Sequence, residues 1–184
     1  SAEVQDRSAH LQEQGLGAFR RGDLDAADDL FRRALDLTPS SPSIYNNIGV
    51  TFARRLDIAE AACWLEKAFS LAPLDPTVGG NLGVIRWLQG RFEESYRLLE
   101  ASIVRGYSSA GACYAMGIMS LQKGRPANAI KHLSRVRHGD YKYRDLFQSV
   151  ALENLNKLDA AMKCYRRFRK QNPVPWFLAT YAMK

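Results

Sequence analysis

Four glycines recur at a fixed interval of 34 residues, and this interval constrains the fold more than any other feature of the sequence. They are Gly15, Gly49, Gly83 and Gly117. When each repeat starts seven residues before its glycine, the twentieth position is always small and the twenty-fourth is always large and apolar. The small residues are Ala27, Ala61, Ser95 and Ala129, and the large ones are Phe31, Leu65, Leu99 and Leu133. A repeat of this length predicts a stack of similar supersecondary elements.

Small residues at two places in each repeat let two helices approach closely, and the large residues fill the remaining space. One helical hairpin cannot bury its apolar face alone, so successive hairpins are expected to stack on one continuous core. Ser41–Pro42 and Asp75–Pro76 place an acceptor side chain before a proline, which is typical of helix N-termini. No useful stretch alternates apolar and polar residues, so the sequence predicts an all-α fold.

The second repeat has the most characteristic pattern, which includes Tyr45, Ile48, Gly49, Phe52, Ala61, Leu65, Ala68 and Pro73. The first repeat follows it through Leu11, Gly15, Gly22, Ala27, Phe31, Ala34 and Pro39. This pattern resembles the tetratricopeptide repeat family. The resemblance implies a right-handed α-α superhelix, or solenoid, of about five helical hairpins and a C-terminal helix.

The predicted organisation has a flexible N-terminal segment, a solenoid and a terminal helix. These cover residues 1–7, 8–175 and 176–184, with repeats at 8–41, 42–75, 76–109, 110–141 and 142–175. The fifth repeat fits only with a register of 32, which we ascribe to two residues missing around His138–Arg144. The terminal helix is interpreted as a cap or as the start of a truncated sixth repeat. Because Trp176–Met183 is apolar nearly all round, it is also a candidate for self-association.

Residues that would support catalysis or hold a cofactor are not found in a suitable pattern. His10, His132 and His138 are scattered, and the pair near Asp140 lacks a cysteine or a second carboxylate, so no metal site is predicted. The glycine-rich stretches lie inside helical hairpins rather than between a strand and a helix, which excludes a phosphate loop. No apolar run reaches the roughly 18 residues of a membrane helix. The sequence therefore predicts a protein that is not an enzyme and needs no cofactor.

The family resemblance implies that the first helices of the repeats line a concave groove. The implied groove residues are Asn46, Asn47, Val50, Arg54, Asn81, Val84, Trp87, Tyr114, Ile118 and Leu121. Asn47 and Asn81 occupy the same position in neighbouring repeats, and an amide both donates and accepts hydrogen bonds, so the two are predicted to hold the backbone of an extended peptide. In the alternative interpretation, the apolar residues only pack against neighbouring helices.

One variant of the family binds acidic C-terminal tails of chaperones through a clamp of cations and asparagines. The matching positions are Gln12, Leu16, Asn47, Thr77 and Asn81, of which only Asn47 agrees. A clamp of that type is therefore not predicted.

The net charge of +7 is distributed unevenly along the chain. Residues 1–122 contain 12 Lys and Arg against 15 Asp and Glu, whereas residues 123–184 contain 14 against 4. Cations near the turns inside the hairpins, and on the last hairpin, predict a basic rim. Its residues are Arg20, Arg21, Arg54, Arg55, Arg91, Lys123, Arg125, Arg166, Arg167 and Arg169. Such a rim attracts an acidic protein, an anionic membrane or nucleic acid, and the alternative is a solvated face.

The predicted function is that of an adaptor that binds a partner peptide or protein segment in the groove, within a larger assembly. For that assembly the resemblance implies bacterial secretion or pilus biogenesis. Two alternatives stay open: binding of an anionic partner or nucleic acid by the basic C-terminal third, and self-association through Trp176–Met183. The compartment is also left open, between the cytoplasm and, for a mature lipoprotein without its leader, the periplasm.

Overall fold

A computed structural model describes residues 2–137 and 140–172, and ten α-helices span these ranges without a strand among them. The helices are α1 (Ala2–Arg21), α2 (Leu24–Leu37), α3 (Pro42–Arg54), α4 (Ile58–Leu71), α5 (Pro76–Leu88), α6 (Phe92–Val104), α7 (Ala110–Gln122), α8 (Pro126–Leu133), α9 (Arg144–Glu153) and α10 (Leu158–Gln171). Each odd-numbered helix packs against the even-numbered helix that follows it. The prediction of an all-α fold made of helical hairpins is confirmed.

The chain divides into two compact units, an N-terminal unit that ends at Tyr107 and a C-terminal unit that begins at Ser108. The N-terminal unit contains α1 to α6, and the C-terminal unit contains α7 to α10. Within the N-terminal unit, Phe31, Ile44 and Ile48 are completely or almost completely buried where α1, α2 and α3 meet.

Close approach of the paired helices follows from the repeated glycines. A Cβ atom on each of the four would lie between 2.5 and 2.8 Å from a side-chain carbon on the second helix of its hairpin, which is closer than carbon atoms can approach. The pairs are Gly15–Phe31, Gly49–Leu65, Gly83–Leu99 and Gly117–Leu133. The structure confirms that the glycine periodicity reflects close packing of the two helices.

Aspartates cap the starts of three helices, and at Asp75 this is what the sequence predicts. Asp23 and Asp57 accept hydrogen bonds from the backbone N–H groups of Ala26 and Glu60, and Asp75 accepts from two N–H groups at the start of α5. Ser41 is an exception because its side chain does not cap α3 and instead lies 2.9 Å from the hydroxyl of another serine. Proline in the first turn of α3 leaves one backbone N–H fewer to satisfy there.

Two expected segments differ from the structure or lie outside its described part. Residues 2–7, predicted to be flexible, form the start of α1, so the first helix begins before the expected residue Ser8. The predicted terminal helix at residues 176–184 and the self-association segment Trp176–Met183 lie outside the described residues.

In the C-terminal unit, α8 contains eight residues, whereas α2, α4 and α6 contain 13 or 14. After α8, the buried side chain of Arg144 donates a 3.0 Å hydrogen bond to the carbonyl oxygen of Leu133, which is the last residue of that helix. Helix α8 therefore ends shortly before His138–Arg144, where the spacing of the repeats changes from 34 to 32 residues. None of the described helices is both long enough and apolar enough to span a membrane.

Candidate functional site

The first helices of the N-terminal unit carry a row of half-buried apolar side chains. α1 contributes Leu16 and Phe19, α3 contributes Val50, and α5 contributes Val84 and Trp87. Each of these side chains packs against the fold and leaves part of its surface exposed to solvent. These residues can therefore both support the packing of the helices and contact another molecule.

A small pocket of about 40 Å³ lies among three helices of the N-terminal unit. Leu16 and Phe19 of α1, Phe31 of α2, and Asn47 and Val50 of α3 line it. Four of the five lining side chains are apolar, and the fifth offers an amide. This volume suits the end of an aliphatic side chain and is too small for an indole ring.

The amide group of Asn47 makes no hydrogen bond within the described residues, although its backbone carbonyl accepts one of 2.8 Å from the hydroxyl of Thr51. Asn47 is half-buried at the pocket, so its amide is accessible there. A primary amide can donate two hydrogen bonds and accept two, which matches the backbone of an extended peptide.

Asn81 differs from Asn47, and its environment corrects the expectation of two equivalent amides. The side-chain nitrogen of Asn81 donates a 2.8 Å hydrogen bond to the side-chain oxygen of Asn46, and its oxygen accepts a 2.7 Å bond from the hydroxyl of Tyr107. Asn46 is 8% exposed, so this network lies largely inside the N-terminal unit. Asn46 and Asn81 therefore hold α3 and α5 together through their side chains.

Tyr107 is a residue that the sequence interpretation missed. Its ring packs so closely on Gly80 that a Cβ at position 80 would lie 2.2 Å from two ring carbons. One signal was present in the sequence: Tyr107 occupies the place of Pro39 and Pro73 in the first two repeats. An aromatic hydroxyl at that place reaches back to the first helix of its own repeat, which a proline cannot do.

The arginines of the predicted basic rim in the N-terminal unit have different environments. Arg55 donates hydrogen bonds of 2.9 and 2.5 Å to the carbonyl oxygen of Leu24 and the carboxylate of Asp25, and Arg91 lies 2.6 Å from the carboxylate of Glu94. By contrast, Arg20, Arg21 and Arg54 are exposed and form no ion pair with any described residue.

Arg86 of α5 is a second residue that sequence interpretation did not single out. It is 5% exposed, and its guanidinium donates to Glu66, to Glu94 at 2.9 Å and to Gln89 at 2.8 Å. Burial alone lowers the pKa of Arg86, but the hydrogen bonds to the two carboxylates outweigh it and raise the pKa above its usual value. Arg86 thus connects α4, α5 and α6 and is almost completely buried.

The predicted groove residues of the C-terminal unit are packed to different degrees. Tyr114 is 7% exposed, and its ring stacks on that of Tyr141 with centroids 4.3 Å apart. Burial raises the pKa of the Tyr114 hydroxyl, and the neighbouring Tyr141 and Tyr143 raise it further. Tyr114 is therefore a core residue rather than a groove residue, whereas Ile118 and Leu121 are half-buried.

The predicted cations of the C-terminal unit lie at the turn after α7 and on α10. Lys123, Arg125 and Arg166 are exposed, and Arg169 is half-buried. Arg167 donates a 3.0 Å hydrogen bond to the sulfur of Cys164 and lies 3.7 Å from the buried carboxylate of Asp145.

An apolar cleft of about 350 Å³ between α9 and α10 was also missed. It is lined by Ser149, Glu153, Leu158, Ala161, Met162 and Tyr165. The spacing of Leu158, Met162 and Tyr165 along the sequence is that of one helix face, which is the signal that could have revealed the cleft.

Residues able to hold a metal ion do not converge in the described part of the chain. There, no three residues of the types His, Cys, Asp and Glu lie close enough together to coordinate a metal. Burial raises the pKa of both Cys113 and Cys164, so these thiols stay protonated at neutral pH. Burial, followed by the charges of Lys131 and Arg135, lowers the pKa of His132.

Comparison with known proteins agrees with the repeated helix packing. A family profile described as tetratricopeptide repeat matches residues 13–76. The chain is a tetratricopeptide repeat protein. Among proteins of known role, the type IV pilus assembly protein PilF of Pseudomonas aeruginosa is 32% identical over 131 residues, which is 70% of this chain and 52% of that protein. This tetratricopeptide repeat protein thus spans about half the length of the curated relative that it matches.

Solved structures of other tetratricopeptide repeat proteins share the fold. A structure of Pseudomonas aeruginosa PilF aligns with a TM-score of 0.72 and 22% identity, covering 94% of this chain and 80% of that one. MamA of Desulfovibrio magneticus aligns with a TM-score of 0.67 and 14% identity, covering 90% and 95%. YrrB, described as a TPR protein with an unusual peptide-binding site, aligns with a TM-score of 0.64 and 16% identity, covering 94% and 90%.

Within this tetratricopeptide repeat protein, the structure brings together only some of the residues expected in the groove. Asn47 and Val50 meet at the pocket, and the Arg54 guanidinium lies 5.5 Å from the ring centroid of Phe19, which also lines it. Asn46 and Asn81 belong to the internal network instead. The arrangement can bind a small apolar side chain, a peptide backbone and a negative charge at adjacent places.

Proposed function

We propose that this chain is a non-catalytic adaptor that binds an extended segment of a partner protein on the first-helix face of its N-terminal unit. The observation that carries the proposal is the pocket between α1, α2 and α3, which is lined in part by Asn47, whose amide has no hydrogen-bond partner among the described residues. An aliphatic side chain of the partner fills the pocket, and Asn47 bonds the partner's backbone beside it. Tetratricopeptide repeat proteins mediate protein–protein interactions, and the family is typically non-catalytic.

We further propose that the adaptor works within a bacterial assembly of the pilus or secretion type. The support is the 32% identity with the pilus assembly protein PilF over 131 residues. Because this chain spans about half of that protein, the proposal concerns the shared helical repeats rather than every role of the relative.

Site-specific photocrosslinking in cells tests the binding face. Glu13 is exposed on α1, three residues before the pocket residue Leu16, so p-benzoylphenylalanine at position 13 places a crosslinker beside the pocket. Glu100, which is exposed on α6, is the matched control position. We expect a discrete adduct from position 13, no such adduct from position 100, and loss of the adduct when Val50→Arg fills the pocket.

Circular dichroism must show the same helix content and melting behaviour for the Val50→Arg variant, so that loss of the adduct reports on the surface and not on folding. Identical adducts from both crosslinker positions, or an adduct that Val50→Arg leaves unchanged, would contradict the proposed binding face.

The two alternative functions stay predictions. Anionic partners or nucleic acid would contact the cations of the C-terminal unit, of which Arg166 is exposed on α10. Self-association involves Trp176–Met183, which lies outside the described residues. Neither alternative has an observation in the described structure that favours it over the pocket of the N-terminal unit.

A further inference from the structure

Two arginines accompany the pocket at equivalent places on neighbouring first helices. Arg20 follows the pocket residue Leu16 by four residues on α1, and Arg54 follows Val50 by four residues on α3. Residues four apart on a helix share one face. Both arginines are therefore on the faces that line the pocket, toward the C-terminal ends of α1 and α3.

These two arginines lack carboxylate partners, unlike others in the same unit. Arg55 pairs with Asp25, and Arg86 pairs with Glu66 and Glu94. Arg20 and Arg54 are exposed and form no ion pair with any residue that the structure describes. The charges of Arg20 and Arg54 therefore remain available to a ligand at the pocket.

Arg54 is also oriented by an aromatic ring of the pocket. Its guanidinium carbon lies 5.5 Å from the centroid of the Phe19 ring, within the range of a cation–π contact. A guanidinium in such a contact keeps N–H groups that can bind a carboxylate through two parallel hydrogen bonds. The same Phe19 ring forms a wall of the pocket. An apolar group in the pocket and a carboxylate on Arg54 would therefore be close neighbours.

We propose that the segment bound at this pocket carries an aspartate or glutamate two residues away from its aliphatic anchor, and that Arg54, supported by Arg20, binds this carboxylate. The inference rests on the proposed function. Four helical residues rise about 6 Å along the axis. In an extended segment along the helices, side chains two residues apart point to the same side and lie about 6.6 Å apart. The spacing of the anchor and the carboxylate therefore matches the spacing of Val50 and Arg54.

The partner class is consequently an extended peptide with the pattern aliphatic residue, any residue, acidic residue. Asn47 precedes Val50 by three residues on α3, so its amide bonds the peptide backbone at the end of the pocket away from Arg54. The acidic residue can precede or follow the aliphatic one, and the order of the two in selected peptides determines which direction is used.

Selection from a phage-displayed library of random peptides tests this specificity with the intact chain. The library is selected on the wild type, on Arg20→Gln/Arg54→Gln, on the pocket variant Val50→Arg, and on the control Arg97→Gln, which changes an exposed arginine of α6. We expect the wild type and the control to enrich an aliphatic residue with Asp or Glu two positions away. The double variant should retain the aliphatic residue and lose the acidic one, and Val50→Arg should enrich neither.

A synthetic peptide from the selected set then measures the contribution of the carboxylate by fluorescence anisotropy. Replacing its acidic residue with the corresponding amide should weaken binding to the wild type about tenfold, as expected for a charge-assisted pair, and leave binding to Arg20→Gln/Arg54→Gln unchanged. Higher salt should reduce affinity for the acidic peptide more than for its amide form.

The outcomes separate this inference from the proposed function. Enrichment of aliphatic peptides that depends on Val50 but shows no acidic preference would overturn the inference and leave the proposed binding face intact. Failure to find any peptide whose binding depends on Val50 would overturn both.

Discussion

At the scale of single residues, the glycines of the first helices have the most restrictive environment. At Gly49, a Cβ atom would lie 2.7 Å from Cγ of Leu65 and 3.2 Å from its backbone nitrogen. The backbone nitrogen cannot move away by a change of rotamer. An added methyl group would therefore have to push α3 and α4 apart. Gly17 of α1 differs because the nearest atom to its Cβ is the end of a flexible arginine side chain, at 3.4 Å.

We therefore predict opposite effects for the same substitution at the two glycines. Gly49→Ala should lower the free energy of unfolding by up to about 2 kcal/mol, since overpacking costs about 1–3 kcal/mol and the helix-propensity gain offsets about 1 kcal/mol of it. Gly17→Ala should raise it by up to about 1 kcal/mol, because only the propensity gain applies. Chemical denaturation of both variants measures the difference, and a stabilised Gly49→Ala protein would contradict the close-approach argument.

One residue takes a conformation that the other repeats assign mainly to glycine. Leu56 has φ of 63° and is 81% exposed at the turn between α3 and α4, whereas the corresponding residues Gly22, Gly90 and Gly124 have φ between 65° and 82°. A side chain in the left-handed region costs about 1–2 kcal/mol. The packing of the hairpin therefore determines this turn geometry, against the preference of a leucine residue for negative φ.

At the scale of helices, the amide network between α3 and α5 distinguishes Asn81, whose side chain joins two helices, from Asn47, whose side chain lines the pocket. The buried side-chain oxygen of Asn46 receives its described hydrogen bond from Asn81, which also accepts one from Tyr107. Removing Asn81 leaves the Asn46 oxygen buried without that donor. The amide of Asn47, in contrast, has no partner to lose among the described residues.

We predict that Asn81→Ala lowers the free energy of unfolding by about 1–3 kcal/mol, the usual cost of an unsatisfied buried polar group. Asn47→Ala should change it by no more than about 0.5 kcal/mol and should instead weaken binding of peptides selected on the wild type. Thermal melts and anisotropy titrations of the two single variants provide the comparison. Equal losses of stability in both variants would indicate that Asn47 also has a structural role.

The helices and their pairing could be predicted because they depend on a periodic pattern of residue size along the sequence. Gly49 against Leu65 is such a case, and the same contact recurs in four hairpins. The pairing of Asn81 with Asn46 and Tyr107 could not be predicted, because it depends on the side-chain rotamers of residues 26 and 35 positions apart. The burial of Arg86 could not be predicted either. Arg86 follows the apolar residue Ile85 on α5, and a charged side chain on a helix is usually exposed.

Which side chains lie on the face of the first helices depends on helical spacing alone and could be predicted. Val50 and Asn47 lie on that face at the pocket, and their part in binding stays a prediction. Tyr114 has the same kind of position in its repeat, yet the ring of Tyr141 covers it. Tyr141 takes the place that proline has in the first two repeats, so a residue outside the first helix helps to cover a residue on that helix.

At the scale of the whole molecule, the two units differ in charge far more than in fold. The N-terminal unit has 12 Lys and Arg against 15 Asp and Glu, and the C-terminal unit has 14 against 4. Their net charges are therefore −3 and +10, while the chain as a whole carries +7. The opposite signs mean that electrostatic attraction to a polyanion and recognition of a peptide at the pocket are expected to reside in different units.

This separation predicts which cations control retention on heparin. Arg166→Gln/Lys170→Gln removes two exposed cations from α10, and Arg20→Gln/Arg21→Gln removes two from the end of α1. Retention at low salt should fall clearly for the α10 pair and little for the α1 pair, because the acidic residues of the N-terminal unit already offset its arginines. The α10 pair should leave binding of the selected peptides unchanged. Equal effects of the two pairs on heparin retention would show that local clusters of arginine, rather than the net charge of each unit, determine attraction to polyanions.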